Sequence, residues 1–184
     1  MGEFGGREAD FLPKVSIGLP VYNGELSVGK AITALLAQSF GDFELIVSDN
    51  ASTDGTEAIC RAFLTQDPRV RYVRQPSNLG AVGNFKFVLD QARGRYYMWA
   101  AADDLRSSDF LAENVSFLDD YPEYVASTCP NCFEGDEGYS DRIVRFAVAG
   151  SLEQRYLAFL HNSWHSHGIF YSLMRTDIIR DCEI

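Results

Sequence analysis

The sequence predicts an α/β fold, with a mainly parallel, twisted sheet carrying helices on both faces. Three observations lead there. Short β-branched and aromatic runs alternate four times with stretches whose apolar residues recur at helical spacing. The ends of those runs carry Tyr22, Asp49, Asn78 and the doublet Asp103-Asp104, and in such sheets ligands bind beyond the carboxyl ends of the strands. The last run, Tyr96-Tyr97-Met98-Trp99-Ala100-Ala101-Ala102, is apolar for seven residues, as suits a strand buried on both faces, and stops abruptly at the two carboxylates.

Taken in order, Val15-Ser16-Ile17-Gly18-Leu19-Pro20 reads as the first strand, ending near Pro20-Val21-Tyr22-Asn23-Gly24. Val28, Ile32, Leu35 and Leu36 mark a helix and Phe43-Glu44-Leu45-Ile46-Val47 a second strand, which completes a βαβ unit. The polar run from Ser48 to Thr56 is rich in helix-capping residues and leads into a helix carrying Ala58, Ile59, Ala62 and Phe63. Val70-Arg71-Tyr72-Val73 is the third strand, with Gln75 to Gly80 as its exit loop. Phe85, Val88, Leu89 and Ala92 line the next helix, and Arg93-Gly94-Arg95 turns the chain into the fourth strand. Beyond the doublet, Ser107 or Ser108 is positioned to cap a helix holding Phe110, Leu111, Val115 and Leu118. Val125 to Thr128 reads as a fifth strand, Glu134 to Asp141 as an acidic turn or hairpin tip, and Ser151 to Leu160 as a helix. His165 to Met174 passes from polar to strand, and Arg175 to Ile179 opens a last helix.

Composition bounds the function. A chain of 184 residues with 46% hydrophobic content can bury one good core, so residues 14–184 are read as one domain and the polar, Gly-rich residues 1–13 as a loose tail. No apolar run approaches the ~20 residues of a membrane span, and the opening does not resemble a signal peptide, which predicts a soluble, cytoplasmic protein. The formal charge of −10 repels nucleic acid and anionic membrane. Any anionic ligand must therefore be held by local dipoles, a few arginines or a metal. The four cysteines fit reduced thiols, with Cys60 packed in a helix.

Folding alone does not ask for two adjacent aspartates at the end of a buried strand. Their repulsion and desolvation cost stability unless a cation sits between them, and the competing reading is a turn or helix cap.

Four ordered blocks carry a resemblance. Pro20-Val21-Tyr22-Asn23, Ser48-Asp49-Asn50-Ala51-Ser52-Thr53-Asp54-Gly55-Thr56, Asn78-Leu79-Gly80 with Asn84, and Ala102-Asp103-Asp104 resemble the family 2 glycosyltransferases of GT-A-type fold over roughly residues 14 to 120. A weaker echo lies in Tyr171-Ser172-Leu173-Met174-Arg175. The resemblance implies a three-layer, Rossmann-like α/β/α domain. It also implies transfer of a sugar from a nucleotide-diphosphate donor, UDP-linked by preference, to a glycan or lipid-linked acceptor, with inversion and with Mg²⁺ or Mn²⁺. On this reading Asp104 is the direct metal ligand, and Asp103 reaches the metal through water or contacts the donor's hydroxyls. Pro20, Tyr22, Asn23, Asp49, Asn50, Asn78, Gly80 and Asn84 shape the donor pocket, Tyr22 by stacking on the base and Asp49 by accepting from a ring N–H such as that of uracil. Ser52, Thr53 and Asp54 read as helix caps rather than ligand contacts.

The sequence departs from the family at two places: Ala102 stands where a further carboxylate is common, and Asn50 where a second Asp is. The family commonly continues into an acceptor-binding part, sometimes with membrane-associated helices. The resemblance thus implies a chain shortened at its C-terminus and, for the whole protein, a place at the inner face of the membrane. No carboxylate near His165 and His167 offers itself as general base, which leaves His167 as a candidate beside a purely structural histidine. Cys129 and Cys132 with His165 and His167 form a possible zinc set whose spacing fits no standard finger. Two readings remain beside the enzyme: a non-catalytic nucleotide-sugar-binding module, and a nucleotidyltransferase. The second is disfavoured because Pro20-Val21-Tyr22-Asn23 replaces the Gly-rich basic loop that such enzymes use.

Overall fold

The structure, a computed structural model, describes residues 12–129, 147–161 and 167–182. The first half alternates as the periodicity predicts: β1 (Val15–Val21), α1 (Val28–Leu36), β2 (Phe43–Asp49), α2 (Thr56–Gln66), β3 (Val70–Arg74), α3 (Gly80–Asp90) and β4 (Tyr96–Trp99). The helix α4 (Phe110–Asp120), strand β5 (Ala126–Ser127), helix α5 (Leu152–His161), a 3-10 turn at His167–Tyr171, strand β6 (Leu173–Arg175) and helix α6 (Thr176–Arg180) follow. The strands form one six-stranded sheet in the order β3-β2-β1-β4-β6-β5. β1 is parallel to both β2 and β4, and β2 to β3, whereas β6 runs antiparallel to β4 and to β5. Among the described residues no helix is long and apolar enough to cross a membrane.

Strand alternation separates the core into two layers. Val15, Ile17, Leu19 and Val21 of β1 join Leu45, Val47 and Met98 in a cluster under α1, α2 and α4, while Ile46, Tyr97 and Trp99 pack with Val88 and Leu89 of α3 on the opposite face. Each such side chain, fully buried, contributes about 1.5–3 kcal/mol.

Three expectations are corrected. The apolar run after Tyr96 does not stay in strand to Ala102; β4 ends at Trp99. The cause is on β1. Gly18 faces β4, its carbonyl accepting the Ala100 N–H at 2.8 Å, and the next β1 residue on that side is Pro20, which has no N–H to give. The ladder stops there and the chain leaves the sheet. Neither Ser107 nor Ser108 caps α4 with its side chain. The Gln38 amide beyond α1 does so in their place: its Oε1 accepts the Leu111 N–H at 2.9 Å and its Nε2 donates to the Ser107 carbonyl at 2.7 Å. Finally, the fifth strand is only two residues long and pairs with β6, so the late strand β6 lies between β4 and β5. The acidic segment Glu134 to Asp141 lies outside the described residues.

At the amino end of the strands a polar knot ties β1, β2 and β3 to the turn before β4. The Ser16 hydroxyl donates to Glu44 Oε1 at 2.6 Å and accepts the N–H groups of Arg93 (3.0 Å) and Gly94 (2.8 Å). Arg71 Nη1 lies 2.5 Å from Glu44 Oε2. A Cβ on Gly94 would stand 2.6 Å from the Ser16 nitrogen and 2.7 Å from the Val15 carbonyl carbon, both backbone atoms that cannot yield. Gly94→Ala is therefore expected to destabilise the fold by about 1–3 kcal/mol, read as a lower urea midpoint at unchanged slope.

Among the described residues Asp119 and Asp67, with Asp54 held down by the Thr56 hydroxyl, contribute to the acid limb of stability. The Lys14 ammonium 2.6 Å from Asp119, assisted by the Tyr96 hydroxyl, holds that carboxyl below its ordinary 3.8, and the Arg69 guanidinium does the same for Asp67. A group depressed on folding contributes stability that is present above its unfolded value and lost as pH falls through the folded one. Unfolding free energy should thus decline as pH drops below about 4. In Asp119→Asn, measured by denaturation at several pH values, the decline should be shallower.

Candidate functional site

The sheet register brings the exits of β1, β2 and β3 level: Val21 pairs with Asp49 and Asp49 with Arg74. Just past these residues the Asn50 N–H still finds the Val21 carbonyl and the Gln75 N–H the Asp49 carbonyl, both at 2.8 Å, and from there side chains take over. Asn23, with φ of 52°, donates its N–H to Ser52 Oγ at 2.9 Å and accepts the Thr53 N–H at 2.8 Å. The Gly24 N–H reaches Thr56 Oγ1 at 2.8 Å and the Glu25 N–H reaches Asp54 Oδ2 at 3.1 Å, while Glu25 Oε2 accepts the Gly55 N–H at 2.7 Å. The capping run thus caps less than it stitches: the two exit loops are sewn into one unit. The same loop meets the fourth strand's exit, since a Cβ on Gly24 would lie 3.8 Å from the Ala102 Cβ, next to the doublet. Tyr22 stands on this loop 51% exposed, an aromatic ring open to a ligand.

Asp49 is fully buried and deeply engaged. Its Oδ1 accepts the Ser52 N–H at 2.8 Å; its Oδ2 accepts the Tyr72 hydroxyl at 2.9 Å and lies 3.1 Å from Arg74 Nη1. Arg74 in turn reaches the Ser52 carbonyl at 3.0 Å and Glu57 at 3.2 Å. Burial first, then the bond to Asp49, pushes the Tyr72 hydroxyl well up, so it remains a donor. Cys60 beneath is pushed up to about 12, by burial first and then by the charges of Asp49 and Asp54, an inert packing thiol as expected.

Asn50 braces the next loop. Its Nδ2 donates to Asn78 Oδ1 at 2.9 Å and to the Gly80 carbonyl at 3.2 Å, and its Oδ1 accepts the Leu79 N–H at 2.8 Å. Gly80 has φ of +75° and opens α3, with its N–H on Asn78 Oδ1 at 2.8 Å. Asn84 is buried deeper, where its side chain exchanges hydrogen bonds with the hydroxyl (2.6 Å) and carbonyl (3.0 Å) of Ser48. Pro20 is buried at the end of β1, opposite Ser48. The structure therefore gathers Tyr22, Asn23, Asn78, Gly80 and the doublet on one edge of the sheet, and sets Pro20, Asp49, Asn50 and Asn84 beneath them as buried supports.

Asp103 and Asp104 are both exposed. Asp104 Oδ2 lies 3.8 Å from Arg106 Nη1. Tyr171, from the 3-10 turn, sits close enough that its hydroxyl is raised by burial first and then by the charges of Asp104 and Asp103. Arg106 and the clamp Arg74 escaped the sequence reading, and Tyr171 entered it only within the weaker family echo, with no role beside the doublet. Arg106 lies in the largely polar run Asp103 to Asp109, where nothing sets it apart, and Tyr171 is brought in by a chain reversal that periodicity does not report.

The donor set fits a hard divalent ion. Two adjacent exposed carboxylates supply anionic oxygen, and among the described residues no group of three or more His, Cys, Asp or Glu forms a closed cage. Such a site suits Mg²⁺ or Mn²⁺, which is held through one or two carboxylates and completes its shell with phosphate oxygens and water. Cys132 and His165 lie outside the described residues, as does the side chain of His167, so the zinc set and the histidine base are not addressed by this geometry. Cys129 accepts a hydrogen bond from Asn114 Nδ2 at 3.5 Å.

Known proteins share this layout. A family model described as "Glycosyl transferase family 2" matches residues 16–182. The GalNAc(5)-diNAcBac-PP-undecaprenol beta-1,3-glucosyltransferase of Campylobacter jejuni is 32% identical over 128 residues, covering 69% of this chain and 40% of that protein. Staphylococcus aureus TarS (residues 1–349), solved with UDP, superposes with a TM-score of 0.67 at 22% identity over 91% of this chain and 48% of its own. The mannosyltransferase PcManGT of Pyrobaculum calidifontis, solved with GDP-Man and Mn²⁺, gives a TM-score of 0.58 at 27% identity over 64% of this chain and 35% of its own. The chain spans about two fifths of the length of some of the curated relatives it matches and as little as 12% of another. The three-layer, mostly parallel architecture is the GT-A-type fold. The chain belongs to glycosyl transferase family 2.

Proposed function

We propose that this chain binds a nucleotide-diphosphate sugar, UDP-linked by preference, and takes part in inverting, divalent-metal-assisted transfer of its sugar to a glycan or lipid-linked acceptor. One observation carries the reading: a ring, a set of satisfied turn amides and an open pair of carboxylates meet on a single edge of the sheet, and the loops bearing the first two are hydrogen-bonded into one rigid unit. Bound complexes of structural neighbours support the donor class, since TarS has been solved with UDP and with UDP-GlcNAc and PcManGT with GDP-Man and Mn²⁺.

In this reading Tyr22 stacks on the base. Asp49, fully buried against Ser52, Tyr72 and Arg74, keeps a free lone pair on Oδ1 and would accept a base N–H only if the turn above it moved aside to admit the base. Asn78 and Gly80 hold the wall beside the diphosphate, where the left-handed Gly80 keeps backbone close. Asp104 holds the metal directly, and Asp103 through water or by way of the sugar and ribose hydroxyls. A bound divalent ion would neutralise the charge that develops on the departing nucleoside diphosphate. Ala102, lacking a carboxylate, leaves that ion bound by fewer protein oxygens and hence more dependent on the diphosphate itself. His167 is proposed as the base that accepts the acceptor's proton. Attachment at the inner membrane face and work on cell-envelope polysaccharide belong to the same proposal.

Calorimetric titration with UDP should show binding that strengthens with Mn²⁺ and exceeds that of GDP or dTDP, and Asp104→Ala should weaken the metal-dependent part by about tenfold or more. Equal affinity in that variant would remove Asp104 from its role. UDP release from a donor sugar with an acceptor present separates the enzyme from a binding module; binding without release would favour the module. His167→Ala should lower the rate of release at unchanged UDP affinity.

A further inference from the structure

Arg106 lies two residues past Asp104, and its surroundings do not look like those of a surface charge. Its side chain is 14% exposed, against 48% for Asp104. The guanidinium carbon lies 5.5 Å from the centre of the Phe110 ring and 5.8 Å from that of Tyr171. Nη1 donates to the Leu105 carbonyl at 3.3 Å, and Nε is buried with no hydrogen-bond partner among the described residues. Burying a guanidinium with a donor unmet is costly, and packing against two rings is served as well by an apolar side chain. Something other than packing retains the charge.

We infer that Arg106 sets how tightly the doublet takes a divalent cation, through the positive charge it places beside Asp104. The inference rests on Asp104 being the metal-holding carboxylate. At 3.8 Å the Arg106–Asp104 pair is longer than a charge-assisted hydrogen bond, so the carboxylate feels the charge while its oxygens stay available to an ion. Because the guanidinium cannot lose its proton, the positive charge is constant. It lowers the negative potential at the doublet, which weakens a bare cation, and it attracts the diphosphate, which helps a donor to bind before the metal is seated. The metal is then held mainly once the nucleotide is bound, and a free ion is not trapped. These two effects have opposite signs, whereas a residue that only props the rings would weaken both kinds of binding when removed.

The test is equilibrium binding of Mn²⁺ alone, followed by the paramagnetic signal of the free ion, and of UDP in EDTA. In Arg106→Gln, Mn²⁺ should bind roughly three- to tenfold more tightly and UDP in EDTA more weakly by a similar factor. Arg106→Lys keeps the charge and should stay within about twofold of the wild type for Mn²⁺, which carries the test even if the glutamine variant does not fold. Unchanged or weaker Mn²⁺ binding in a folded Arg106→Gln, or a clear loss in Arg106→Lys, overturns the inference. Asp104→Asn separates the layers: if it binds Mn²⁺ as the wild type does, the reading of Asp104 fails and this inference with it; if it loses Mn²⁺ while Arg106→Gln is unchanged, only the inference falls.

Discussion

One missing backbone donor organises this molecule. Pro20 sits where β1 would next donate to β4, and without that N–H the two central strands part company after the Gly18–Trp99 pair. On its other side β1 stays with β2 through Val21 and Asp49. The sheet therefore splits at its carboxyl edge between β1 and β4, where a doubly wound sheet places its ligand. The doublet is carried out of the core on an irregular Ala100–Ala102 segment that would otherwise have continued as buried strand.

Opening an edge leaves backbone groups without ladder partners, and buried or half-buried donors must be met by something. Here short polar side chains meet them. Asn23, Ser52, Asp54 and Thr56 bind loop amides between the β1 and β2 exits, and Asn50 and Asn78 do so between the β2 and β3 exits. The site's rigidity is thus a by-product of satisfying the backbone. Asp49 shows the same economy: it is an interior brace, paired with Arg74 and Tyr72, on whose position the loop above depends.

Much of this was legible in the sequence. The four strand–helix alternations and their helical faces follow from apolar spacing, which burial enforces directly, and the order of the polar blocks named the edge where they meet. The length of β4 was not legible, because hydrophobicity marks what is buried and not what is paired, and the pairing was decided by Pro20 on another strand. The cap of α4 was misread for a related reason. Ser107 and Ser108 have the right chemistry, but Gln38, distant in sequence, reaches the same amide. Roles also divided in ways that residue type does not reveal. Asn84 and Asn78 are the same amino acid, yet one is locked onto Ser48 in the interior and the other faces the loop. Arg106 went unseen because its partners Tyr171 and Phe110 come together only through the return of β6.

That return has a kinetic side. The parallel half of the sheet needs only residues up to Trp99, and it can collapse as soon as they are available. β5 cannot join in the order in which it is made, because its neighbour in the sheet is β6, which lies more than forty residues later, at Leu173–Arg175. Until that segment arrives, the flank of β4 is an unpaired edge, able to capture a strand from another molecule. The stretch from Ala126 to Arg175 therefore separates the formation of that edge from its covering, and exposure of the edge lasts as long as the stretch takes to be made.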